Sequence, residues 1–219
     1  MTSGNTLVDE LQRLYTSKKR EIALRLRDFR RCWEDSTDEE IFTELAFCLL
    51  TPQSKAKSCW NAINLMNEGG LLLGGTAGEI RPILKKCVRF HNKKADYLIK
   101  ARALFEKDGM ISIKKIIRSF PDVHQCRDWL VKNLTGLGYK EAGHFLRNIG
   151  FGGKIAILDR HILKNLHALG VIDEIPASLS TKKYLEIEKK MADFSAKLHI
   201  PLSHLDLLLW SKETGEIFK

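Results

Sequence analysis

LTGLGYKEAGHFLRNIGFGGKIAILDRHI, residues 134–162, joins a glycine-bounded turn to a helical pattern, an apolar run and a solitary carboxylate. Gly136 and Gly138 flank Leu137 between two helical patterns, DVHQCRDWLVKN and KEAGHFLRNIG. Both glycines accept positive φ, and Leu137 is expected to plug into a core. A tight hairpin of this kind leaves unpaired N–H groups at the start of its second helix, where they can hold a phosphate. Backbone donors read no base sequence. An ordinary connection between two helices gives the same pattern, but the basic neighbours Lys132, Lys140 and Arg147 weigh toward an anionic ligand.

Two residues in the stretch carry reactive groups. Lys140 falls in the first turn of the second hairpin helix, where the positive end of the helix dipole disfavours a cation. The same field favours the neutral amine, which is the nucleophilic form. A surface lysine touching phosphate is the other reading. Asp159 follows IAIL and opens RHILKNLHAL, and aspartate is among the best N-caps, which by itself accounts for its place. Taken together, an activated amine and a fixed carboxylate suit a reaction that develops positive charge on a sugar.

Outside this stretch the chain reads as helices from end to end. Residues 18–35 place Ile22, Leu24, Leu26, Phe29 and Trp33 amphipathically. Thr37 to Glu40 fits a capping box ahead of IFTELAFCLL, which is apolar on most sides and expected at the centre of a core. SKAKSCWNAINLMNEGG is a helix stopped by Gly69-Gly70, and LLLGGTAGE, lacking the G-K-[ST] of a phosphate loop, reads as a plain turn. Helical patterns follow at 78–88, 93–107, 111–119, 122–134, 140–149, 160–169, 181–198 and 202–212. No two-residue alternation is sustained and no β-hairpin is expected. The fold class is all-α, with two compact helical lobes and a cleft between them. The division falls near GFGGK, giving one lobe of 37–152 and a second of 1–36 plus 153–219.

The totals fit such a chain. At 219 residues it is long enough for a sizeable core. It has no apolar run of the roughly 18 residues a membrane span requires. The opening MTSGNTLVDELQ lacks a signal-peptide layout, so an intracellular, cytoplasmic location is expected. Net charge is +9, from 36 basic and 27 acidic residues, which favours a polyanionic partner. Cysteines stand at 32, 48, 59, 87 and 126, an odd number at wide spacings with no C-x-x-C, so free thiols are expected and no metal site.

LTGLGYKEA…IAILDRHI resembles the helix–hairpin–helix, Gly/Pro-rich, Asp-terminated motif of base-excision DNA glycosylases with lyase activity. The family's lysine falls on Lys140 and its aspartate on Asp159. The family often has proline where Thr135 stands, and the Gly/Pro segment here is FGGK, without proline. LLTPQSKAKSCW, 49–60, is similar to the family's loop that enters DNA, and VRFHNKKADYLIKAR, 88–102, to a further segment. The resemblance implies double-stranded DNA with a damaged base as partner, a monomer, and, in a prokaryote, nucleoid association. It makes Gln53 the wedge filling the gap left by a flipped base. Ser54, Gly136, Gly138, Arg160 and His161 become DNA contacts, although Ser54 also reads as an N-cap. Lys140 would attack C1′ and form a Schiff base, Asp159 assisting, before elimination cuts the strand on the 3′ side.

Cysteine content narrows the resemblance. Endonuclease III and the adenine glycosylases carry clustered cysteines for an iron–sulfur cluster near the C-terminus, and none follows Cys126 here. No cofactor is expected beyond a possible monovalent cation at the hairpin. Nor is there room for the added β-rich domain of the eukaryotic 8-oxoguanine enzyme. The chain is most similar to the compact archaeal and bacterial 8-oxoguanine DNA glycosylase/AP lyases, whose members tend to end in lysine, as does this one at Lys219. Guanine N7 is an acceptor, whereas 8-oxoguanine carries a proton there, so an acceptor opposite N7 discriminates. That acceptor is the Lys219 carboxylate, a backbone carbonyl near 201–206, or Asp206. Trp210 and Phe90 are candidates to stack on the base, Trp210 reading equally as a core residue of LDLLLW. An oxidised pyrimidine as the lesion, or a noncatalytic DNA-binding module, are the competing readings.

Overall fold

The computed structural model describes residues 2–217. Among them are twelve α-helices, a single 3-10 turn and one minimal β-ladder. Helix α1 (Thr2–Asp35) leads into α2 (Asp38–Leu50), α3 (Ala56–Glu68), the one-turn α4 (Leu71–Gly74), α5 (Ala77–Cys87) and α6 (His91–Phe105). Strands β1 (Glu106–Lys107) and β2 (Met110–Ile111) precede α7 (Ile113–Arg118), α8 (Val123–Asn133) and α9 (Tyr139–Asn148). The 3-10 turn (Gly152–Lys154) and an extended segment, 155–158, lead to α10 (Arg160–Ala168), α11 (Thr181–Lys197) and α12 (Leu202–Thr214).

The architecture is all-α in two lobes, each with its own apolar core. One core runs from Ile41 to Ile155 and is centred on α2, of which every residue from Leu45 to Leu50 is buried. The second joins Leu11, Ile22 and Phe29 of α1 to residues from Ala156 onward, including Leu166, Met191 and Leu207. The cores therefore meet inside the extended segment, Ile155 belonging to one and Ala156 to the other. Ahead of this crossing the chain turns at Gly150, with φ +91; a Cβ there would lie 2.9 Å from the Arg30 Cα. Only glycine allows both that dihedral and the close approach of α1.

Local signals account for most helix starts. The Thr37 capping box forms: the Thr37 N–H donates to Glu40 Oε2 at 2.8 Å, and the Glu40 N–H donates back to Thr37 Oγ1 at 3.3 Å. Four expectations are corrected. Helix α1 begins sixteen residues before the reading of 18–35: Leu7, Val8, Leu11, Leu14 and Tyr15 form a helical stripe, from which Leu11 is buried in the second core with Leu14 and Tyr15 packed against it. LLLGGTAGE is not a plain turn: α4 occupies its start, and Thr76 with Glu79 forms a second capping box that opens α5. A hairpin does occur, at Asp108-Gly109, where both residues have positive φ (52° and 77°) as a two-residue hairpin turn demands. Ser54 caps nothing: Lys55 is the N-cap of α3 and makes no side-chain cap bond.

Two buried ion pairs tie the lobes together through the extended segment. Arg127 on α8 meets Glu188 on α11 with both Nη atoms, at 2.6 and 2.7 Å. Arg147 on α9 meets Asp206 on α12 at 2.9 Å. Each carboxylate also accepts a backbone N–H of the segment, Ala156 to Glu188 Oε1 at 2.8 Å and Ile157 to Asp206 Oδ1 at 3.0 Å. Leu158 donates to the Tyr184 hydroxyl at 3.2 Å, and that hydroxyl donates to the Ala156 carbonyl at 2.7 Å. The segment is thus held by side chains in place of a neighbouring strand, which is how an isolated buried strand satisfies its backbone. Burial pushes the Asp206 carboxyl up, and the Arg147 guanidinium pulls the other way.

Removing one partner of a buried pair strands the other charge. Glu188→Ala is expected to lower unfolding free energy by about 3–5 kcal/mol. Lys183→Ala, which breaks the exposed Lys183–Glu186 contact, is expected to cost no more than about 0.5 kcal/mol. Urea titration of both variants checks the contrast; equal costs would contradict the role given to Glu188.

Candidate active site

The hairpin between α8 and α9 has the form its glycines imply, with one difference. Gly136 takes φ +88, and a Cβ there would lie 2.2 Å from the Tyr97 ring, so dihedral and packing both demand glycine. Leu137 is buried in the first core. Gly138 does not adopt positive φ: it is the extended N-cap of α9, with φ −92 and ψ −179. Its lack of a side chain matters otherwise, since a Cβ would stand 3.1 Å from a Glu141 carboxylate oxygen. No side chain caps α9, so the N–H groups of its first turn are free of local competition for an anion.

Lys140 lies in that first turn, half-buried, with Nζ 2.9 Å from Glu141 Oε1. Glu141 is not among the residues the sequence singles out. An acid directly after the lysine, at the positive end of a helix, is where the dipole favours a carboxylate, and that was the available signal. Asp159 is the N-cap of α10, and its Oδ1 accepts from the His161 and Ile162 N–H groups, both at 2.8 Å. Among the described residues its Oδ2 carries no hydrogen bond. The capping role and a reactive role are therefore compatible: one oxygen fixes the side chain and the other is left for chemistry.

Helix periodicity sets Lys140 on the face of α9 that meets the segment leading to Asp159. Residues 140, 143 and 147 lie on one face of α9, spaced by about one turn. A Cβ at Gly143 would contact the Ala156 carbonyl at 3.5 Å and Ile157 Cγ1 at 3.9 Å, so the extended segment packs directly on that face. Arg147, one turn further, reaches Asp206, which holds the Ile157 N–H. Asp159 follows Ile157 by two residues, roughly 6–7 Å of extended chain.

The remaining candidates are distributed around this centre. Gln53 is exposed on the loop after α2, with a left-handed backbone (φ 53). Phe90 is 51% exposed and left-handed as well (φ 57), at the N-cap of α6. The Ser54 hydroxyl faces inward, accepting from the Arg89 N–H at 3.0 Å and from Lys94 Nζ at 2.9 Å. Arg160 is exposed, with Nε 3.4 Å from His161 Nε2, and His161 is half-buried with Nδ1 3.9 Å from Glu213 Oε2. Trp210 is half-buried, packed against the second core. Asp206 is not a free acceptor: it is 2% exposed, with one oxygen on Arg147 and the other on Ile157. Lys219 lies outside the described residues. The chain before it is anchored, since Ile217 is buried and its carbonyl accepts from Arg25 Nη2 at 3.4 Å. Among the described residues no group of three or more His, Cys, Asp or Glu side chains stands placed to hold a metal.

The double duty of Asp159 can be separated. Asp159→Asn retains a capping oxygen and should change stability by no more than about 0.5 kcal/mol, whereas Asp159→Ala should cost about 1 kcal/mol. Thermal unfolding of the pair measures it, and equal losses would show that the cap is unimportant.

A basic chain with an uncapped helix hairpin, a lysine at its edge and a carboxylate fixed nearby invites comparison with known proteins. The sequence model of the 8-oxoguanine DNA glycosylase family matches residues 22–200. An 8-oxoguanine DNA glycosylase/AP lyase of Fusobacterium nucleatum is 47% identical over 215 residues, covering 98% of this chain and 99% of that one. The Korarchaeum cryptofilum protein of the same description is 41% identical over 97% of this chain and 98% of its own. Among solved structures, the Methanocaldococcus jannaschii 8-oxoguanine glycosylase/lyase in complex with a 15mer DNA containing 8-oxoguanine superposes with a TM-score of 0.88. It is 37% identical, and the match covers 98% of this chain and 100% of that one. The agreement extends through both lobes and the hairpin, so the chain belongs to the 8-oxoguanine DNA glycosylase family.

Proposed function

We propose that this protein is a bifunctional glycosylase/AP lyase that removes 8-oxoguanine from double-stranded DNA. The observation that supports the reading is the docking of α9, which begins with Lys140, on the segment that leads to Asp159, through Gly143 and the Arg147–Asp206 pair. The α8–α9 hairpin holds the backbone of the damaged strand through uncapped N–H groups, independent of base sequence. Gln53 enters the duplex as the damaged nucleotide leaves the stack. Arg160 and His161 hold phosphates beside Asp159, and Trp210 and Phe90 offer faces on which bases stack.

Lys140 must first leave Glu141 and give up a proton; Asp159 orients the amine and offsets positive charge on the sugar. The amine then attacks C1′, the bond to the base breaks with its electron pair, and the sugar ring opens to a protonated Schiff base. Loss of a C2′ proton expels the 3′ phosphate and cuts the strand. With Asp206 committed inside the protein, the acceptor for the N7 proton of the lesion falls to the Lys219 carboxylate or a backbone carbonyl near 201–206. The scheme needs no redox or metal cofactor; a monovalent cation on hairpin carbonyls is the one ion it admits. The protein acts as a monomer in the cytoplasm, on the nucleoid, with its two lobes parting near the 3-10 turn Gly152–Lys154 and the segment after it. No helix among the described residues is long and apolar enough to cross a membrane.

Borohydride trapping on duplexes that differ at one base tests the reading. Adducts are expected with 8-oxoguanine and with an abasic site, not with guanine or thymine glycol. Lys140→Gln should abolish them, a loss of at least about 10³-fold. Trapping on thymine glycol would transfer the enzyme to oxidised pyrimidines. Salt-sensitive DNA binding without any adduct would leave only a binding module.

A further inference from the structure

Lys94 is a buried lysine that the scheme above does not use. It stands on the first turn of α6, 3% exposed, and all three donors of its ammonium are occupied. Nζ lies 2.7 Å from the Leu50 carbonyl, 2.8 Å from the Pro52 carbonyl and 2.9 Å from Ser54 Oγ. Burial pushes its pKa down. A buried ammonium is costly, and a residue with a purely packing role would be apolar.

The geometry shows what the cation organises. Leu50 ends α2, where the negative end of the dipole already favours a cation. Pro52 and Ser54 lie beyond the helix, on either side of Gln53, so two of the three bonds serve the loop. Ser54 Oγ also accepts the Arg89 N–H at 3.0 Å, which joins this loop to the turn bearing Phe90. Gln53 and Phe90 are both exposed and both left-handed, conformations that cost non-glycine residues of order 1–3 kcal/mol and persist only when surroundings impose them. One buried node thus braces two strained, outward-facing side chains.

We propose that Lys94 is a positioning residue that clamps the 51–55 loop, through Pro52 and Ser54, so that Gln53 is pre-set to enter the duplex. The proposal rests on the glycosylase reading for what Gln53 does. Its test separates steps that need duplex distortion from those that do not.

Lys94→Met keeps length and removes the donors. Single-turnover excision from an 8-oxoguanine duplex should fall by about tenfold or more. The fluorescence rise of a 2-aminopurine beside an uncleavable tetrahydrofuran site should shrink with it. Borohydride trapping on a single-stranded abasic oligonucleotide, which needs no wedge, should stay within about twofold and keep its pH profile. Gln53→Ala added to Lys94→Met should cost little more than the worse single variant, because both act through one loop. Ser54→Ala, which removes one acceptor, should reproduce the duplex defect if Lys94→Met does not fold. Multiplying losses in the double variant, or a parallel fall in single-strand trapping, would overturn the clamp. Wild-type protein that excises nothing would overturn the glycosylase reading alone, since the tetrahydrofuran fluorescence still reports on the loop.

Discussion

The Arg147–Asp206 pair is the contact from which the active site is measured. Arg147 belongs to the helix that starts with Lys140, and Asp206 holds the backbone two residues before Asp159. The helix that begins with Lys140 and the segment that leads to Asp159 are thereby joined by a buried, charge-assisted bond. The same bond spans the two cores. Its low-dielectric setting makes it sensitive to the loss of either partner, and such a bond rewards specificity of arrangement more than it adds to stability. Arg127 and Glu188 repeat the device on α8 and α11, with Ala156 in place of Ile157.

The extended segment 155–158 explains why polar groups should be buried at a lobe boundary at all. An extended chain without a neighbouring strand leaves its N–H groups unsatisfied. Here three side chains supply acceptors: Glu188, Asp206 and the Tyr184 hydroxyl. The arginines neutralise the two carboxylates, and their guanidinium groups lie over aromatic rings, Arg127 5.1 Å from Tyr139 and Arg147 5.4 Å from Phe29. Segment, carboxylates and arginines form one unit. Asp159 inherits its position from that unit and its orientation from the cap of α10.

Local rules carried the sequence reading where one element decided the outcome. The hairpin was legible because Gly136, Leu137 and Gly138 sit between periodic segments, and Asp159 because a cap needs only the residues that follow it. The helices were legible from apolar spacing. What stayed hidden depends on distant partners. Arg127, Arg147 and Glu188 look like the solvated faces of amphipathic helices; only the fold turns them inward. Asp206 stood out in LDLLLW, but as a contact for a base, and its partner lies fifty-nine residues away in sequence. Ser54 resembled a cap since its true partners, Arg89 and Lys94, are thirty-five and forty residues distant. Two local signals are nonetheless present in the sequence: the stripe Leu7, Val8, Leu11, Leu14 and Tyr15 of α1, and the Asp-Gly pair of the 108–109 turn.

In the proposed reaction Lys140 is the amine that attacks the sugar. Peptide mapping of the borohydride-trapped complex tests it most directly. A reduced deoxyribose adduct on Lys140 blocks tryptic cleavage there, so the adduct should appear on the 133–147 peptide. An adduct on Lys94, on another lysine or on the N-terminal amine would contradict the account.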